Sequence, residues 1–158
     1  MYLYDRDSTM TPYILKSVLL CVTVASLVSI SIYYLFDFVN TEDPMGFVSI
    51  YDVIGSSIIS PVLETVIIIL LLSVLNNFIE NITIKAIIVS LLMSILHSTH
   101  VLYWGLITFF SFYVFTVSYL VWCEVSKTKG FVVCTLIHSG LNFISSFTVC
   151  LGQYFLEF

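Results

Sequence analysis

Ile54–Phe78 reads IGSSIISPVLETVIIILLLSVLNNF. One ionisable side chain, Glu64, stands in these 25 residues, and the rest is almost continuously apolar. A membrane helix needs about 20 apolar residues. The run does not alternate as a barrel strand would, and it is too long for one. β-Branched residues abound in it and would favour a strand in water. In lipid the backbone must satisfy itself locally, so such a run becomes a helix.

Working outward, four further runs of the same kind appear: Tyr13–Phe36, Ile84–Tyr103, Leu106–Cys123 and Phe131–Leu151. Short polar stretches separate them. Asp37–Pro44 is an acidic loop, Asn76–Asn81 marks a turn, Gly105 sits in a tight turn, and Glu124–Gly130 is a polar loop. The chain is 158 residues, 59% hydrophobic and 9% charged. A soluble domain carries about 25% charge. The composition therefore excludes a disordered chain and most soluble enzymes. Lys+Arg 5 against Asp+Glu 10 leaves no basic footprint for nucleic acid. The expectation is an all-α, polytopic transmembrane bundle of about five spans, forming one domain over residues 1–158, with the lipid bilayer as its first partner. The first apolar run is too long for a signal peptide.

Five spans with a cytoplasmic N-terminus place Arg6, Lys16, Lys85, Lys127 and Lys129 on the cytoplasmic side. Asp37, Glu42 and Asp43 then lie outside. The Asn81-Ile82-Thr83 sequon faces the cytoplasm in this arrangement and reads as accidental. Cys21, Cys123, Cys134 and Cys150 are scattered without a CxxC and read as small buried hydrophobes.

Ionisable groups in hydrocarbon cost about 2.5–3.5 kcal/mol or more on insertion scales, so the exceptions carry information. They are Glu64, His97 and His138, joined by the neutral amide of Asn142. Glu64 follows Pro61, which removes a backbone donor and frees a carbonyl about a turn earlier. A polar pocket can open there. His97 and His100 share a helix side at i, i+3; His100 lies nearer the span end and reads as interfacial. His138 and Asn142 share a face at i, i+4 around Ser139 and Gly140. His138 and Asn142 alone read as readily as a helix–helix hydrogen-bond pair, His97 alone reads as a satisfied core histidine, and Glu64 among Val62, Leu63, Val66 and Ile67 is costly as mere packing. Together, one carboxylate, two imidazoles and one amide are what peptide hydrolysis needs. A carboxylate takes a proton from water, histidines position that water or hold a metal, and an amide stabilises an oxyanion. The span boundaries put Glu64 and His97 toward the outer half and His138 nearer the inner end. That makes Asn142 the easier partner for Glu64.

In order and spacing these residues resemble the CPBP family, also called Abi or type II CAAX prenyl endopeptidase-like membrane proteases. The family pattern is Glu-Glu-x-x-x-Arg, then Phe-x-x-x-His, then His-x-x-x-Asn/Asp. Here it reads Glu64 with Thr65 and Ile69 at the second Glu and the Arg, Met93 with His97, and His138 with Asn142. The resemblance covers about Ser57–Phe147. It implies an intramembrane endopeptidase in which Glu64 activates water, His97 positions it, and His138 and Asn142 form the oxyanion site. Glu64, His97 and His138 would be the ligands if zinc or another divalent metal is used. The implied substrate is a peptide or a prenylated or otherwise hydrophobic protein, and the implied place is a bacterial inner or plasma membrane. The reduced first motif also fits a non-catalytic member that serves as a bacteriocin-immunity or membrane binding protein. A transporter fits less well, since internal repeats and paired broken helices are absent from the sequence.

Overall fold

The computed structural model describes residues 2–5, 9–36, 48–99, 101 and 103–156. The acidic loop, Arg6 and His100 lie outside the described residues. Among those described there is no strand. The helices are α1 (Met10–Phe36), α2 (Ile50–Ile54), a π-helical turn (Gly55–Ile59), α3 (Ser60–Leu75), α4 (Ile82–Ser98), α5 (Trp104–Cys123) and α6 (Lys127–Leu156). The protein is an all-α helical membrane bundle. α2, the π turn and α3 run on as one apolar rod, Ile50–Leu75. That rod, α1, α5 and α6 are each long and apolar enough to cross a membrane. α4 has 17 residues, at the short end of what spans.

Local chemistry sets several of the ends. Ser49 and Asp52 form a capping box that starts α2, the Ser49 side chain accepting from Asp52 N and Asp52 Oδ2 accepting from Ser49 N at 2.9 Å. Asn81 caps α4 by accepting from Ile84 N at 3.1 Å, which gives the sequon asparagine a structural role. The expected Glu124–Gly130 loop is shorter than its composition suggests. α6 begins at Lys127, so only Glu124–Ser126 connect it to α5. Ser126 Oγ accepts from Lys129 N at 3.0 Å and caps the new helix, so the polar residues form a helix start. Likewise the third run ends as a helix at Ser98, not Tyr103.

The core lies where α5 passes between its neighbours. Phe112, Val114, Phe115 and Val117 of α5 are fully buried, along with Val89 and Met93 of α4 and Val133 and Ile137 of α6. The N-terminal turn, Tyr2–Tyr4, folds onto this core. Leu3 is buried, and Tyr13 Oη donates to its carbonyl at 2.9 Å and lies 3.1 Å from Ser118 Oγ. Tyr13 also meets Trp122 edge-on at 5.4 Å, which brings the start of α1 to the end of α5. The described basic residues, Lys16, Lys85, Lys127 and Lys129, therefore gather toward one end of the bundle. Lys85 is buried there, and its Nζ donates to Asn76 Oδ1 at 2.8 Å.

α4 and α5 form a close hairpin, and Gly105 permits the approach. A Cβ at that position would stand 2.0 Å from Ser98 Oγ and 2.5 Å from the Ser94 carbonyl. The backbone oxygen cannot move aside as a side chain would. Gly105→Ala is expected to destabilise the protein by about 1–3 kcal/mol through overpacking. Gly152→Ala, with nothing within 4 Å of the new methyl, is expected to be neutral or slightly stabilising. Thermal unfolding of both variants in detergent checks the pair; equal midpoints would mean that the hairpin has slack.

Candidate active site

Glu64 reaches the bundle interior from a helix whose register has been reset. In the π turn Ser60 N donates to the Gly55 carbonyl, five residues back. The next donor along would be residue 61, but Pro61 has no N–H. The Ser56 carbonyl is thus left without a donor in its own helix. Asn142 Nδ2 of α6 donates to it at 2.9 Å. Ser56 Oγ also meets Ser146 Oγ, one turn further along α6, at 2.9 Å. The carbonyl freed by proline is therefore the point at which α6 grips the rod. From the first turn of α3, Ser60 Oγ donates to Glu64 Oε1 in a short hydrogen bond.

The second oxygen of that carboxylate faces two imidazoles. His97 Nε2 is 3.6 Å from Glu64 Oε2, and His138 Nε2 is 3.7 Å from it. Glu64, His97 and His138 thus meet from α3, α4 and α6. His97 Nδ1 lies 2.9 Å from the Met93 carbonyl. A carbonyl only accepts, so Nδ1 carries a proton, and in the neutral ring Nε2 presents its lone pair to Glu64. Two acceptors face each other across 3.6 Å. A proton on one of them, or a donor between them, has to remove the repulsion. Glu64 Oε2 is buried and has no hydrogen-bond partner. His138 is buried, stacked on Phe115 at 4.4 Å and edge-on to Phe112 at 5.7 Å, and its Nδ1 is also unpartnered. Phe112 contacts the His97 ring at 4.9 Å, so α5 supplies an aromatic wall to both histidines.

The expectation that Asn142 would be the easier partner of Glu64 does not hold. His138 makes the approach, and Asn142 goes to the Ser56 carbonyl. The reason is the start of α6. The helix begins at Lys127, four residues before the expected Phe131, and this moves His138 about 6 Å deeper into its helix.

Thr65 is fully buried. Thr135 Oγ1 donates to its hydroxyl at 3.2 Å, and Cys134 Sγ lies 3.7 Å away. This is a neutral hydroxyl contact between α3 and α6.

The donor types suit a divalent ion: one carboxylate and an imidazole whose tautomer is set by a carbonyl. The two distances to Glu64 Oε2 are near the roughly 3.4 Å between ligand atoms around tetrahedral zinc. Among the described residues, no group of three His, Cys, Asp or Glu side chains able to hold a metal is found.

Sequence reasoning missed Ser56, Ser60, Ser146 and the two phenylalanines. The serines had a signal, since Ser60 is four residues before Glu64 and Ser146 four after Asn142. Phe112 and Phe115 had none, being two aromatics in an apolar run. No protein family, curated protein or solved structure matches this chain.

The Ser56 carbonyl yields a test. Asn142→Leu leaves it orphaned in the bundle and is expected to cost about 1–3 kcal/mol. Pro61→Ala restores an N–H to the segment, so the same substitution is expected to cost less in that background. Equal penalties in both backgrounds, read as thermal midpoints, would mean that Asn142 serves some other group.

Proposed function

We propose that this chain is an intramembrane peptidase of the CPBP type, anchored in a bacterial plasma membrane. The observation that carries the reading is the meeting of Glu64, His97 and His138 from three helices inside an apolar bundle. A carboxylate and two imidazoles are costly in such a place, and groups of this kind mark functional sites.

The chemistry follows from the atoms available. A water between Glu64 Oε2 and His97 Nε2 donates to both acceptors and relieves their repulsion. Glu64 takes one proton as the water oxygen attacks the peptide carbonyl. The negative charge that develops on the carbonyl oxygen needs donors. An N–H of His138 is one. Asn142 Nδ2 carries two hydrogens; one is committed to Ser56, and the other remains for the oxyanion. The proton held by Glu64 passes to the leaving amine, and the carboxylate returns to its starting state. Ser60 holds the other carboxylate oxygen and so fixes which oxygen faces the water.

A second reading rests on Thr65. Its buried contact with Thr135 supports the fold without the family's charge pair. A chain of this kind can keep the pocket and bind a hydrophobic peptide or a bacteriocin without cleaving it.

Glu64→Gln separates the two readings. It keeps size and hydrogen bonding but removes the base. Loss of a general base costs about 10²–10⁴-fold in rate. Cleavage of quenched hydrophobic peptides by the protein in liposomes is expected to disappear, and His97→Ala is expected to behave alike. His100→Ala is expected to be mild. A Glu64→Gln variant that keeps full protection or partner binding at normal membrane abundance would favour the binding protein.

The gathering of Lys16, Lys85, Lys127 and Lys129 toward one end supports a cytoplasmic N-terminus under the positive-inside rule. Reporters fused after Pro44 and after Lys129 are then expected in opposite compartments. Finding both on one side of the membrane would overturn the five-span count.

A further inference from the structure

A buried hydrolytic site needs water, and one strip of the molecule carries the polar atoms for a path. Along α2, the π turn and α3, Asp52, Ser56, Ser60 and Glu64 recur every fourth residue. Along α6, His138, Asn142, Ser146 and Gln153 run in the opposite direction. Contacts tie the two rows in antiparallel register. Gln153 Oε1 accepts from Val48 N at 2.8 Å at one end, Ser146 meets Ser56 in the middle, and His138 meets Glu64 at the other. Ile58, Ile59 and Leu63 of the same rod are exposed and apolar, so they face lipid.

Among the described residues, the α4–α5 hairpin does not reach the upper end of this strip. α4 is 17 residues, about 25 Å, and stops one residue after His97. α6 is 30 residues, about 45 Å, and the rod beside it has 26. The α4–α5 hairpin therefore ends near the level of the site, while α2 and α6 continue well beyond it. At the lower end, Glu64 Oε2 and His138 Nδ1 are buried without partners. His138 is 3% exposed. Buried polar atoms without a protein partner are where ordered water sits.

We propose that the strip between the Asp52–Glu64 row and the His138–Gln153 row is a hydrated seam. It brings water down to Glu64 from the face of the bundle where α2 begins and α6 ends. Side chains on the seam meet water, and those a third of a turn away meet lipid. The seam provides the water that a peptidase requires, yet its existence does not depend on turnover.

Thiol accessibility tests it directly. Cys21 and Cys134 are buried and stay in place, while Cys123 and Cys150 are replaced by serine. Ser56→Cys, Ser60→Cys, Ser146→Cys and the lipid-facing controls Ile58→Cys and Leu63→Cys are then made singly. The full-length proteins, in sealed vesicles of one orientation, are treated with a charged, membrane-impermeant methanethiosulfonate. A thiol in water ionises and reacts, whereas one in hydrocarbon does not. The three seam positions are expected to react at least about tenfold faster than the controls. They are expected to do so only with reagent on the Gln153 face. Rates at Ser56→Cys and Ser146→Cys equal to those of the controls would overturn the seam, leaving its hydroxyls as dry contacts between helices. Faster reaction from the Lys127 face would overturn it as well. Loss of the peptidase reading through Glu64→Gln leaves these rates unaffected, so the two ideas fail separately.

Discussion

A backbone carbonyl in hydrocarbon must find its donor within the protein, and at Ser56 its own helix cannot supply one. Ser60 N is committed to Gly55, and Pro61 has no N–H. The donor comes from Asn142, on the last helix in the chain. This one bond ties α6 to the rod that carries Glu64. Ser56–Ser146 and Thr65–Thr135 then extend the same register in both directions. With the register set, His138 meets Glu64. The arrangement of the candidate site thus depends on a single residue, Pro61, that lacks a backbone N–H.

The aromatic wall makes the second contribution. α5 contributes no ionisable group to the cluster, yet Phe112 packs on both imidazoles and Phe115 on that of His138. They hold the His138 ring in place, with its Nε2 3.7 Å from the carboxylate. His97 is held in another way, by the Met93 carbonyl on its Nδ1. Two histidines that look equivalent in the sequence therefore differ. One has its Nδ1 proton held by a carbonyl, and the other has an Nδ1 without a partner. In the peptidase reading this difference separates an acceptor for water from a donor to an oxyanion.

Further along α3, the Thr65–Thr135 bond keeps α3 and α6 in contact through two neutral hydroxyls. A neutral pair needs no partner charges nearby. Glu64 beside it is supported by Ser60 from the turn before.

The helices and their approximate number were determined by the sequence alone, because lipid leaves a continuous apolar run only one way to satisfy its backbone. The residues of the candidate site were also legible, because a carboxylate or imidazole in such a run stands out by its cost. The boundaries were not. Lys127–Gly130 reads as loop by polarity, but Ser126 caps it into helix, and that four-residue shift changed the partner of Glu64. Nor could the sequence tell that the carbonyl freed by Pro61 would be Ser56, since that depends on a π turn. The clamp by Asn142 was hidden for the same reason: it joins positions 86 residues apart. Such pairings follow from how whole helices pack, and only the folded chain decides them.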